Sequence, residues 1–121
     1  MSKKVKRILI VDNDQHISQR LLEVLNQGGY IAEAAHTSKE ALRLAQQNHF
    51  NCMLSDVKMQ DMTTDDLFSK LQKSCPSLSI ILMTSSSYEN YPRVRLAEGV
   101  VAVINKPLDE DILFLYLSVL R

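Results

Sequence analysis

The sequence predicts an α/β fold in which a five-stranded parallel sheet lies between two layers of helices. Three observations predict it. Short apolar runs alternate with amphipathic runs five times along the chain. The apolar runs are continuous, as strands covered on both faces must be. Four of the five runs also stop at a polar or charged residue, which gathers chemistry beyond the carboxyl ends of the strands, where open parallel sheets build their sites.

Each element has its own justification. Arg7 to Val11 is a short apolar run that ends at the acidic cluster Asp12-Asn13-Asp14, and it reads as the first strand. Ile17, Leu21, Leu22 and Leu25 recur at helical spacing over residues 15–27, and Gly28-Gly29 closes that helix. Tyr30 to Ala34 is the second strand. Thr37 or Ser38 caps a helix carrying Ala41, Leu42 and Ala45. Asn51 to Ser55 is the third strand and delivers Asp56. A polar turn leads to a helix over Asp65 to Lys73, which Pro76 separates from the next element. Leu78 to Met83 is the fourth strand and delivers Thr84. A helix is expected over Glu89 to Ala97, closing at Gly99. Val100 to Ile104 is the fifth strand, followed by Lys106-Pro107. Asp109 to Leu120 is the last helix, with acidic residues in its first turn where the helix dipole favours them.

The length of 121 residues fits one domain, and there is no internal repeat or linker. No apolar run approaches the roughly 20 residues of a membrane helix, and the basic start lacks the apolar stretch of a signal peptide. A cytoplasmic location with no membrane contact is expected. The formal net charge of +0 argues against direct nucleic-acid binding, which needs a basic surface. The basic run Lys3, Lys4, Lys6, Arg7 reads as a solvated tail. Cys52 and Cys75 fit neither a disulfide framework nor a zinc spacing and read as reduced thiols, Cys52 in the core. His16, His36 and His49 lack ligand spacing and read as surface residues.

The strand ends carry the chemistry. Asp12, Asn13 and Asp14 follow the first strand, Asp56 the third, Thr84 the fourth and Lys106 the fifth. Carboxylates crowded together repel one another, and a hard divalent cation relieves that repulsion. A carboxylate is also a nucleophile that can form an aspartyl phosphate. An ammonium and a hydroxyl can hold phosphoryl oxygens. Singly, each of these residues reads as a cap or turn former; jointly they form a phosphoryl-transfer set.

Four segments then carry a family resemblance over nearly the whole chain: Ile8-Leu-Ile-Val-Asp-Asn-Asp14, Leu54-Ser-Asp-Val-Lys-Met59, Ile81-Leu-Met-Thr-Ser85 and Asn105-Lys-Pro107. In this order and spacing they resemble the response-regulator receiver domains of two-component signalling. The resemblance implies a flavodoxin-like (βα)5 three-layer sandwich with strand order 2-1-3-4-5. It implies that residues 1–121 are a single receiver domain, a candidate N-terminal part of a longer regulator. Asp56 would be the phosphoacceptor. Asp12, Asn13, Asp56 and the backbone carbonyl of Lys58 would hold Mg²⁺ (or Mn²⁺). Thr84 would be the switch hydroxyl and Lys106 the phosphate-binding lysine, with a cis bond to Pro107. Lys58 and Ser86 would modulate the lifetime of the phosphorylated state. The donor would be a phosphohistidine on a sensor histidine kinase or phosphotransfer protein. Such a chain is a signalling domain that catalyses only its own phosphorylation and dephosphorylation, not an enzyme acting on other substrates.

The sequence departs from the family pattern at several points. Asn13 replaces a second acidic metal ligand, which removes one negative charge. Val103 stands at the switch position usually held by Tyr or Phe, leaving Tyr88 and Tyr91 as stand-ins. Gln60 and Thr64 replace a typical proline and glycine, so that turn is less preorganised. The last helix is apolar nearly all round, from Ile112 to Leu117 with Val119 and Leu120. A helix of that kind needs cover on two sides, so a homodimer through the fourth and fifth helices and a downstream output domain are the candidate partners. Two other classes stay open. One is a pseudo-receiver that binds partners without phosphorylation. The other is a phosphatase of the haloacid-dehalogenase type, with Asp12 as nucleophile.

Overall fold

The computed structural model describes residues 5–57, 59, 61–85 and 99–120. In chain order these form β1 (Arg7–Val11), α1 (Gln15–Gln27), β2 (Ile31–Ala35), α2 (Ser38–Gln47), β3 (Cys52–Asp56), α3 (Thr64–Ser74), β4 (Ser79–Thr84), β5 (Val100–Asn105) and α4 (Glu110–Val119). The helix expected over Glu89 to Ala97 lies outside the described residues. All strand pairs are parallel, in the order β2-β1-β3-β4-β5. The α/β class and the strand order are those expected.

The pleat divides the core into two layers. Ile8 and Ile10 of β1, Cys52 and Leu54 of β3, and Ile81 and Met83 of β4 face Leu21 and Leu25 of α1 and Leu113 and Leu117 of α4. Their neighbours Leu9, Val11, Met53, Ile80 and Leu82 face the other way, onto Ala41 and Ala45 of α2 and Leu67, Phe68 and Leu71 of α3. Side chains alternate faces with a period of two, so one continuous apolar run supplies both layers. Burial pushes the Cys52 thiol up to about 12, which leaves it an inert core residue.

Local chemistry sets the helix ends. The Asp14 carboxylate accepts from His16 N and Ile17 N and caps α1. The Thr37 hydroxyl caps α2 by accepting from Glu40 N, and the Asp109 carboxylate caps α4 by accepting from Asp111 N and Ile112 N. At the far end of α1, Gly29 adopts φ +91°, where glycine alone is unstrained. Gly28 has an ordinary φ of −80°, and packing demands it instead. A Cβ there would sit 2.5 Å from the Phe114 ring, which stacks on Tyr30 with centroids 5.9 Å apart. That packing, and a Tyr30 N–H bonded to Leu25 O, keep Tyr30 in the turn and start β2 one residue later than the sequence suggested.

Two expectations are corrected. Lys6 and Arg7 are not a solvated tail. The Lys6 ammonium donates to the carbonyls of Leu117 and Leu120 at the end of α4, where a cation suits the helix dipole. Arg7 lies over the Phe50 ring at 5.5 Å and pairs with Glu33 at 3.7 Å. His36 is not a surface residue either: it is half-buried, with Nε2 3.2 Å from Ser18 Oγ.

Candidate functional site

The strands end at one rim, where side chains from the ends of β1, β3 and β5 meet. Asp12 follows the last residue of β1, and its N–H bonds back to Ala35 O at 3.1 Å. Its side chain is fully buried. Burying a carboxylate is costly unless charge and hydrogen bonds compensate it. Both are supplied: Oδ1 accepts from Asp14 N at 2.9 Å, and Oδ2 accepts from Lys106 Nζ at 2.7 Å.

The same ammonium stands 3.5 Å from Oδ1 of Asp56, the last residue of β3. The side chains of Lys106 and Asp56 are only 14% and 13% exposed, so solvent screens this cluster far less than a surface pair. Lys106 is itself held by its backbone. Its N–H donates to Thr84 O at 2.7 Å, Thr84 pairs in register with Asn105, and the Lys106–Pro107 bond is cis. Thr84 is buried at the end of β4.

Of the residues singled out in the sequence, Asp12, Asp56 and Lys106 therefore converge, and Thr84 adjoins Lys106 through the backbone. Asn13 is exposed beside Asp12. Val103 is half-buried against the core shared by α2 and α3. Lys58, Ser86, Tyr88 and Tyr91 lie outside the described residues.

The donor set suits a hard cation in kind. Two carboxylates already converge on one ammonium, and an amide oxygen is offered by the next residue in sequence. Among the described residues no group of three His, Cys, Asp or Glu side chains forms a metal cluster. That is compatible with Mg²⁺, which uses one or two carboxylates and keeps several waters.

A groove of about 560 Å³ adjoins the cluster. Ile17, Leu21, Pro107 and Leu108 form much of its wall, and Lys106 borders it. Arg20 and Glu110, which also line it, pair at 2.9 Å. Sequence reasoning missed a further residue, Asp61, whose carboxylate accepts from Ser38 N and Lys39 N at the start of α2. Nothing local in the sequence names a partner that far away.

Fold and rim together define a class, a doubly wound parallel sheet with two carboxylates and a lysine gathered at its strand tips. Comparison with known proteins names the family. A profile of the response regulator receiver domain matches residues 8–118, and the chain belongs to that family. It is 29% identical over 94% of its length to the transcriptional regulatory protein GlrR of Escherichia coli (strain K12), covering 26% of that protein. It is 31% identical over 96% of its length to the sensor protein EvgS of the same organism, covering 10% of it. The chain thus spans about a quarter or less of these two curated relatives. Among solved structures, a CheY-like response regulator receiver domain protein from Methanospirillum hungatei JF-1 superposes with a TM-score of 0.87 at 32% identity, covering 95% of this chain and 92% of that one. No helix among the described residues is long and apolar enough to cross a membrane.

Proposed function

We propose that the chain is a phosphoacceptor switch in which Asp56 takes a phosphoryl group from a phosphohistidine on a sensor kinase or phosphotransfer protein. The observation that carries this is the Lys106 ammonium standing between Asp12 and Asp56. A carboxylate oxygen of Asp56 attacks phosphorus, the P–N bond to the imidazole breaks, and the electron pair leaves with the ring nitrogen. Lys106 holds a phosphoryl oxygen and Thr84 donates a hydrogen bond to another. Asp12, Asn13, Asp56 and the Lys58 carbonyl would hold Mg²⁺ or Mn²⁺, whose charge would offset that of the phosphoryl oxygens. The apolar groove would seat the donor protein beside Lys106, the lysine that pairs with Asp56. Asp12 is fully buried and bonded through both oxygens, which weighs against it as the nucleophile of the phosphatase reading.

Incubation with acetyl phosphate and Mg²⁺, followed by intact mass, tests this proposal. The chain is expected to gain one phosphoryl group, and Asp56→Asn to gain none. A wild-type mass that never changes would favour a phosphorylation-independent interaction module. Label surviving in Asp56→Asn but lost in Asp12→Asn would favour the phosphatase reading.

Asn13 contributes no charge to the cation. Replacing it with Asp places one more charge a few ångströms from a divalent ion, worth about 1–2 kcal/mol in a hydrated setting. Mg²⁺ titration should therefore show Asn13→Asp binding about tenfold more tightly than the wild type. Equal constants would rule out this account of position 13.

The α4 surface supports a second copy of the chain as partner. Ile112, Leu115, Tyr116 and Val119 recur at helical spacing and are 44%, 64%, 37% and 69% exposed. Val101 on the edge strand β5 adds to the exposed apolar surface. Light scattering after size exclusion should show dimers when Mg²⁺ and beryllofluoride mimic the phosphoryl group, and Leu115→Glu should return them to monomers. A wild-type monomer at high concentration with and without the mimic would refute self-association through this face.

A further inference from the structure

The start of α2 poses a donor problem that its own sequence solves only in part. The first N–H groups of a helix lack intrahelical acceptors. The Thr37 hydroxyl accepts from Glu40 N at 3.1 Å, and the Glu40 carboxylate reaches back to accept from His36 N at 3.0 Å, a variant of the capping box. Ser38 N and Lys39 N are left over, and Asp61 takes both. Its Oδ1 accepts from Ser38 at 2.9 Å and its Oδ2 from Lys39 at 3.0 Å. The Ser38 bond, foremost, holds the Asp61 carboxyl below the usual carboxylate range, with burial opposing it.

This acceptor belongs to the connection between β3 and α3, five residues after Asp56. Residues 57–63 contain neither proline nor glycine, so backbone restriction does not shape the connection. Two other features hold it. Met59 and Met62, on either side of Asp61, are half-buried against the core shared by α2 and α3. Asp61 itself grips α2 with a two-pronged, charge-assisted contact that fixes orientation as well as distance.

We infer that Asp61 is a positioning residue that links the segment leaving Asp56 to the first turn of α2, so that a phosphoryl group on Asp56 is sensed at the Ser38 and Lys39 amides. The inference rests on the phosphoacceptor role proposed above. A phosphoryl group adds charge and strong acceptors at one end of this short segment. Asp61 belongs to the same connection, and its gripped carboxylate passes a rearrangement there to the two N–H groups whose hydrogen bonding it sets.

Amide spectra of the ¹⁵N-labelled chain, recorded with and without Mg²⁺ and beryllofluoride, test this. In the wild type the Ser38 and Lys39 signals should move together with that of Thr84. In Asp61→Ala the Thr84 signal should still move while the Ser38 and Lys39 signals stay put. Asp61→Asn, which keeps the shape and one acceptor oxygen, should lose the response at one of the two amides, and it decides the matter if the alanine variant does not fold. A wild type in which Thr84 responds but Ser38 and Lys39 do not would overturn the inference. So would an unchanged response at both amides in the Asp61 variants. Silence at Thr84 as well would bring down the phosphoacceptor reading, and this inference with it.

Discussion

One lysine holds the rim together. Lys106 reaches Asp12 at 2.7 Å and Asp56 at 3.5 Å, yet it follows β5, which neighbours neither β1 nor β3. In the order β2-β1-β3-β4-β5, three strand spacings separate β1 from β5, each roughly 4.8 Å. Convergence therefore requires the residues just past β1 and β5 to reach toward the end of β3. Removing the ammonium would leave a fully buried carboxylate without its counter-charge, and broken buried pairs are among the costlier lesions a fold can suffer. The cluster thus constrains how β1, β3 and β5 terminate.

Much of this was legible in the sequence, for a physical reason. A strand buried on both faces reads as an apolar run, and such a run must stop where polar chemistry begins. Asp12, Asp56, Thr84 and Lys106 stand at those stops, so counting strands was enough to place them on one rim. Capping was partly readable: Asp14 and Thr37 each sit directly before a helix they cap, whereas Asp109, read as the first helical residue, caps α4 from just outside it. What escaped was contact between residues with no shared period. Asp61 meets Ser38 across 23 positions, and Lys6 meets Leu117 and Leu120 across 111 and 114. Those bonds depend on which helix lands beside which strand. Only the folded chain shows Lys6 as the C-terminal cap of α4, or His36 turned inward to Ser18.

The two faces of the sheet carry different burdens. The layer formed by α1 and α4 borders the groove next to Lys106, and its outer side presents the exposed stripe of Ile112, Leu115, Tyr116 and Val119. The layer formed by α2 and α3 packs more small side chains, Ala41 and Ala45 among them, and it takes in Val103, Met59 and Met62. A valine at 103 fills that core without offering a ring that could swing between inner and outer positions. If Asp56 is the phosphoacceptor proposed above, communication on this side would run through backbone hydrogen bonds such as those Asp61 accepts from Ser38 and Lys39. Partner contact and internal signalling would accordingly use opposite sides of the same sheet.

The most direct measurement of the central claim is a double-mutant cycle between Asp12→Asn and Lys106→Met, read as unfolding free energy in denaturant without added metal. If the ammonium and the buried carboxylate share one point as described, the double mutant should depart from additivity by about 0.5–3 kcal/mol, the range for residues in direct contact. Effects that sum within about 0.3 kcal/mol, as for sites far apart, would mean that Lys106 does not hold Asp12 in solution and that the rim is not assembled this way.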